Sequence, residues 1–363
     1  MNKSKKPIKV PKKSKQNLST VNRKYWLIPS IVLGVFLVAA LLFDQLYERV
    51  LITIDEEKYR MSDLSYYFYD VESGYNAYSQ IFGAIDWSTP YDESGEITIG
   101  DIAKQEALGL AVFNEIMYQE ALSAGYSLTE EEISTINEDI ATMLYEQLSP
   151  DVIEDNGFTG DFLKKIKEKV ALSKRYRSDI IETLDVDDEA IKAGISYEDN
   201  RQYDIQYLYI SNQKADESGQ QVAMTEEEKT AAYEKIKAKY TEALTTEDWS
   251  TLVPEGETEL QYRENNFIKT DTTYPEDLKT MMMEMGNGDI SEPFATENGY
   301  YVVRMINNDN PETYETMVKN AIEDAENTAF ETYYGESILT KHDVKINERA
   351  IKNVKMGSFA TAY

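Results

Sequence analysis

The spacing of apolar positions changes twice along this chain. First comes an unbroken apolar run, Trp26 to Phe43. Eighteen residues at about 1.5 Å rise approach the roughly 30 Å of a bilayer's hydrocarbon core, and exceed the 7–15 apolar residues usual in a signal peptide. A membrane-spanning helix is predicted at 25–43. Helical periodicity follows. A short strand pair, Val50 to Ile54 and Lys58 to Met61, leads into a helix capped by Ser62, with Leu64, Tyr67, Phe68 and Val71 at helical spacing. A second helix runs from Ile99 to about Ala124, its stripe formed by Leu110, Phe113, Met117 and Ala121 and widened by Ile116; Gly125 ends it. Thr129 with Glu132 reads as a capping box, opening a helix with Ile133, Ile136, Ile140 and Leu144. Phe158 to about Thr183 is the next helix, with Phe162, Ile166, Val170 and Ile180 as core candidates, and a brief one spans Glu189 to Tyr197.

At Tyr203 the texture turns to strands. Asp204 to Ile210 is rich in strand formers, and Asn212 to Gln221 is polar and loop-like. Thr225 caps a helix with Tyr233, Ile236 and Tyr240 on one side. A strand at Asn266 to Lys269, a short helix from Pro275 through Met285, a turn at Gly288 and a buried strand at Tyr300 to Ile306 come next. A long helix from Glu312 to about Leu339 and a terminal strand at Val344 to Ile346 close the chain.

Charge orients this pattern. The formal charge is −29, with 37 Lys and Arg against 66 Asp and Glu. Nine of the basic residues (Lys3, Lys5, Lys6, Lys9, Lys12, Lys13, Lys15, Arg23 and Lys24) precede the apolar run, and no acid does. The positive-inside rule then keeps the tail 1–24 in the cytoplasm and the acidic bulk outside it, in a single-pass protein of the cell membrane. Leu41-Leu42-Phe43-Asp44 offers no small-x-small cleavage site, so the helix is expected to stay attached. An acidic bulk repels phosphate polymers, which excludes nucleic acid as a partner and favours basic or neutral polypeptides. The absence of cysteine excludes a disulfide framework, thiolate zinc and thiol catalysis. No phosphate loop, zinc helix, serine elbow or EF-hand spacing is present, and no cofactor or metal is expected. Nothing in the pattern speaks to oligomeric state.

Two motifs carry a resemblance. Gly288-Asp289-Ile290-Ser291-Glu292-Pro293-Phe294, followed by Asn298-Gly299-Tyr300-Tyr301-Val302-Val303, resembles the closing turn and last strand of the parvulin (PpiC) family of peptidyl-prolyl isomerases. Gln105 to Glu132 resembles the helical chaperone region of the SurA and PrsA foldases. The resemblance implies an α+β chain with a SurA-N-like helical module at 50–197 and a parvulin-like domain at 198–310, a small antiparallel sheet with flanking helices. It also implies a C-terminal helix and strand, 311–363, returning to the N-terminal module near Val50 to Ile54.

The family's two histidine positions match Gln206 and Tyr301 here, and its Gly-Gly-x-Leu-Gly segment is replaced by Glu257 to Glu264. The one histidine, His342, lies outside the parvulin-like region and reads as structural. Gln206 and Tyr301 are either a weak hydrogen-bonding pair for a twisted amide or two ordinary sheet residues. Register from Gly288 places Tyr274 and Leu278 at the family's proline pocket, and Met281 and Met282 join them as soft side chains suited to varied apolar clients or to plain core packing. The tyrosines of the first helix (Tyr66, Tyr67, Tyr69, Tyr75 and Tyr78) read in the same two ways. The expected role is a membrane-anchored extracytoplasmic foldase for unfolded exported polypeptides, with weak or lost isomerase activity. An active isomerase and a dedicated assembly factor of one membrane or wall complex are the alternatives.

Overall fold

The computed structural model describes residues 49–216 and 218–360. The expected membrane helix at Trp26 to Phe43 and the basic tail lie outside the described residues. Among those described, no helix is long and apolar enough to cross a membrane. The chain divides into two compact units, one made of residues up to Arg177 together with those from Gly335, the other of Ser178–Tyr334.

The first unit opens with β1 (Val50–Ile54) and β2 (Glu57–Arg60), an antiparallel pair. Asp55 turns the hairpin with φ of 54°, a conformation that aspartate tolerates better than most residues. The terminal strand, Val344–Ile346, pairs with the free edge of β1, placing Ile52 opposite Ile346. The Asp55 carboxylate holds this return, accepting the Asp343 N–H at 2.9 Å and lying 2.9 Å from Nδ1 of His342. The sole histidine therefore sits, with its ring largely buried, at a strand junction.

Helix α1 (Met61–Phe82) leaves β2 without a linker. Arg60, rather than the expected Ser62, is its cap residue, because β2 runs on to residue 60 and the Asp63 carboxylate accepts the Arg60 N–H at 3.0 Å. Helix α2 (Ile99–Ser123) is capped by Thr98, and α3 (Glu130–Thr142) starts on the Thr129–Glu132 box read from the sequence. The expected stripe of α2 holds at Ile116, Met117 and Ala121, all fully buried, but Leu110 is 40% exposed, and Ala103, Ala107 and Ala111 extend the buried face instead. Small side chains win that face because they let a neighbouring backbone approach closely. The sequence reading missed α4 (Pro150–Asn156), although Ser149 as cap and Pro150 at the first helical position are its standard start signal. Helix α5 (Gly160–Ile181) follows, burying Leu163, Ile166 and Leu172.

Two ionised groups cross this helical core. Lys169 of α5 reaches Glu115 of α2 at 2.5 and 2.6 Å, with Glu115 only 2% exposed. The rings of Tyr59 and Tyr118 flank the ammonium at 5.7 and 5.6 Å. Such a pair fixes how two helices meet, since either charge left alone would be stranded in an apolar interior.

In the second unit, α6 (Asp188–Gly194) and α7 (Tyr197–Asn200) precede β3 (Gln202–Ser211). The segment read as a loop forms a small hairpin, β4 (Gln213–Ala215) with β5 (Gln221–Ala223). Helix α8 (Glu226–Ala243) starts at the Thr225 box. Strand β6 (Leu260–Phe267) begins six residues before the expected Asn266, because polar residues on its solvent-facing edge mask its alternation. Helix α9 (Glu276–Met283), β7 (Phe294–Ala295), β8 (Gly299–Asn310) and α10 (Glu312–Tyr333) complete the unit. The sheet order is β6-β3-β8-β7, antiparallel throughout. Gly299 is required where β8 begins, since a Cβ there would stand 2.2 Å from the Ile210 carbonyl oxygen.

Each sheet face carries its own core. Leu208, Ile210, Leu260 and Val302 pack with Ile236, Ala243 and Trp249 on the α8 side. Tyr203, Ile205, Tyr207, Tyr301, Val303 and Met305 pack with Leu278, Met282 and Met285 on the α9 side.

Truncating one partner of the buried pair tests its role in the first unit. Lys169→Met is expected to cost that unit about 3–5 kcal/mol in urea denaturation followed by far-ultraviolet circular dichroism. The double variant Lys169→Met with Glu115→Leu should recover most of the loss, because no charge is then left unpaired.

Candidate functional site

Strand β3 is covered on both faces, so its period-two alternation decides which chemistry meets which. Odd-numbered residues 203 to 209 face α9, and even-numbered ones face α8. Strand β8 pairs with β3 so that Tyr209 stands opposite Tyr301 and Gln206 opposite Arg304. Tyr301 belongs to the α9 face.

The structure therefore does not bring Gln206 and Tyr301 together. Gln206 lies on the other side of the sheet, where its Oε1 accepts the Tyr262 hydroxyl at 2.9 Å. The Glu264 carboxylate lies within reach of the same hydroxyl as an alternative acceptor, and the phenol is pushed up to about 12, first by burial and then by that carboxylate. Nearby, Arg304 lies 4.4 Å from the Trp249 ring and donates to the carbonyls of Glu247 and Thr246 at the end of α8. Gln206 thus ties β3 to β6 on the α8 side of the sheet.

The residues that meet Tyr301 are Tyr209, directly opposite it, and Tyr207, one position beyond Gln206. The ring centroids of Tyr207 and Tyr301 are 5.7 Å apart. Tyr209 lies 4.6 Å from Tyr301, and Tyr274, from the loop before α9, meets Tyr207 edge-on at 6.2 Å. Asn265 of β6 donates to the Tyr274 hydroxyl at 2.7 Å. Arg263, also on the α9 face of β6, stands opposite Tyr207. The signal that could have found Tyr207 was alternation itself: Tyr203, Ile205, Tyr207 and Tyr209 form one continuous aromatic and aliphatic face.

The pocket candidates divide by burial. Leu278 and Met282 are fully buried under the sheet and act as core. Tyr274 is buried but carries a polar tip at the site, and Met281 is half-buried against the same cluster. On α1, Tyr66 and Tyr67 are buried, Tyr69 packs edge-on against Phe158 at 5.4 Å, and Tyr78 is 66% exposed. Among the described residues no group of three His, Asp or Glu side chains is placed to hold a metal ion.

This arrangement offers neutral hydrogen-bond donors on an apolar floor. Burial pushes the phenols of Tyr274 and Tyr301 well above their ordinary range, each reinforced by a neighbouring tyrosine. Both stay protonated at any physiological pH, able to donate but unable to act as bases. Prolyl isomerisation needs no base, because its barrier is the loss of amide resonance and no covalent bond is broken.

Residues 189–320 match the family described as the PPIC-type PPIASE domain. The matched segment starts in α6 and ends within α10, so it spans the whole four-stranded sheet and the tyrosine face. The chain therefore carries a parvulin-type peptidyl-prolyl isomerase domain. Among solved structures, one of the related SurA-like chaperones PEB4 and Cj1289 of Campylobacter jejuni is 11% identical, covering 82% of this chain and 99% of that one at a TM-score of 0.29. The foldase protein PrsA of Streptococcus pneumoniae is 19% identical, with 69% and 88% covered at 0.30. PrsA of Bacillus subtilis is 15% identical, with 76% and 99% covered at 0.23. Overlays this loose fix neither fold nor function. No curated protein matches the sequence.

The raised phenols set a test. A tyrosine that ionises later when folded favours the protonated state, so its contribution to stability is present below the unfolded value near 10 and is lost as pH rises beyond it. Titration followed at 295 nm should leave an un-ionised fraction at pH 11 that appears only on unfolding. That fraction should shrink in Tyr274→Phe and again in Tyr301→Phe.

Proposed function

We propose that the chain is a membrane-tethered extracytoplasmic foldase, using its parvulin-type domain mainly to contact unfolded exported polypeptides, with isomerase activity weak or lost. The observation that carries this reading is the face of Tyr207, Tyr209, Tyr274 and Tyr301. Tyr207, Tyr274 and Tyr301 are buried in one aromatic cluster and Tyr209 is half-buried at its rim, its hydroxyl donating to the Asn298 carbonyl at 2.7 Å, so a peptide meets this cluster at an aromatic rim with no imidazole in it. The acidic charge of the bulk keeps a loaded complex soluble. The helix at 25–43 anchors the chain with residues 1–24 in the cytoplasm, which raises its local concentration where polypeptides emerge.

The refolding of a proline-limited substrate, measured at several concentrations of the chain, tests this reading. Uncatalysed isomerisation takes tens to hundreds of seconds. Suppressed aggregation with a slow phase shortened by less than about twofold is expected. Strong acceleration that is lost in Tyr207→Ala and Tyr301→Ala would instead establish an active isomerase. Recovery of one stoichiometric partner from detergent extract, in place of many substoichiometric ones, would establish a dedicated assembly factor. Protease added to intact cells should digest the acidic bulk, and protection of that bulk until lysis overturns the proposed topology.

A further inference from the structure

The C-terminal segment lies in a cleft of the first unit that reads it as a peptide. Glu72 of α1 is fully buried, and its carboxylate accepts three main-chain N–H groups: Gly357 at 2.5 Å, Phe359 at 3.0 Å and Ala360 at 2.6 Å. Two amides read the carbonyls of the same segment. Asn156, at the end of α4, donates to the Phe359 oxygen at 2.8 Å, and Asn76 of α1 donates to the Ala360 oxygen at 3.0 Å. Asn156 is itself held in place, since its Nδ2 also donates to Val152 and its carbonyl accepts the Ser65 hydroxyl. The Phe359 ring stacks on the fully buried Phe68 at 5.2 Å, and Met356 and Ala360 are buried beside it. Gly357 has φ of +92°, and a Cβ there would stand 2.8 Å from Cδ1 of Trp87.

Most of this recognition falls on the main chain. Five hydrogen bonds go to backbone groups, and specificity beyond them comes from one aromatic side chain, small residues beside it and a glycine under Trp87. Recognition of that kind tolerates many sequences. An emptied cleft would leave a carboxylate, two amides and the Phe68 ring facing any extended polypeptide that approached. A buried carboxylate without its donors is costly, so the cleft favours being filled over standing open.

We propose that the cleft between α1 and α4 is a peptide-binding site, that segment 356–360 is its resident ligand, and that it exchanges this segment for extended polypeptides carrying an aromatic residue flanked by small ones. The tail then works as a tethered competitor. Its effective concentration is of the order of millimolar for a short flexible connection, so the site is filled at rest and opens to clients that are abundant or bind better. That the incoming ligand is an unfolded client rests on the foldase reading; the exchange itself does not.

The experiment uses the full chain and a fluorescein-labelled peptide with the sequence of residues 352–363. Binding is read by anisotropy for the native chain, for Gly357→Val, which drives the tail against Trp87, and for Gly357→Val combined with Glu72→Gln. The native chain should bind weakly, Gly357→Val at least about tenfold more tightly, and the combined variant should return to weak binding. Circular dichroism checks each fold. A second form avoids dependence on Gly357→Val folding: a protease site inserted between Asn353 and Val354 is cut after the native chain has folded, and the labelled peptide is added in excess. Replacement of the cut tail by the peptide supports the proposal, whereas a cut tail that stays bound and does not exchange overturns it. Failure to exchange in a chain that still suppresses aggregation removes the site and spares the foldase reading; exchange in a chain that suppresses none does the reverse.

Discussion

Strand β3 is covered on both faces, and the strict alternation of its side chains governs the whole second unit. Because the pleat sends neighbours to opposite sides, one register assigns Leu208 and Ile210 to the α8 core and Ile205 and Tyr207 to the α9 core. A slip of one position would place Asp204 and Gln206 among the methionines of α9 and expose the tyrosines to the wrong helix. The pairing with β6 and β8 is therefore strongly specified, and the tyrosine face is a product of that specification. The same alternation separates Gln206 from Tyr301.

The first unit is organised by buried charge. Lys169 and Glu115 join α5 to α2, and Glu72 collects the chain's end against α1. Each buried carboxylate restricts the unit to arrangements that satisfy it, because an unpartnered ion in an apolar interior is far more costly than a misplaced methyl group. The strand Val344–Ile346 on β1 and the Asp55 contacts with Asp343 and His342 bring residues 342–346 to the first strand of the unit. The tail cleft lies next to elements that this closure sets in place.

Much of the local structure was legible from residues alone. The Thr129–Glu132 box and the Thr225 cap mark helix starts because their hydrogen bonds involve residues three apart, and the structure completes the second as a box with Glu228. The turn at Gly288 and the strand from Gly299 were legible through the motifs that resemble parvulins. Strand β6 was misread in extent and α4 was missed. In β6 only its end residues are buried, so the middle looks like loop, and α4 is too short to show a helical stripe. Leu110 was misassigned for another reason: the most apolar residue of a stripe is not always the one that faces the neighbour when alanines allow closer contact.

By itself the sequence determined the order of the longer elements, the caps at Thr129 and Thr225, the apolar run behind a basic tail, the acidic excess and the motifs that resemble parvulins. Each of these depends on residues within a few positions of one another, or on sums over the chain. Only the tertiary structure decided that Tyr207 and Tyr209, not Gln206, meet Tyr301, and that Leu278 and Met282 are core. It alone showed that Glu72 holds main-chain groups 285 to 288 positions away. The physical reason is the same in each case: a side chain's partner is set by register and close packing between distant segments, and no local periodicity carries that information.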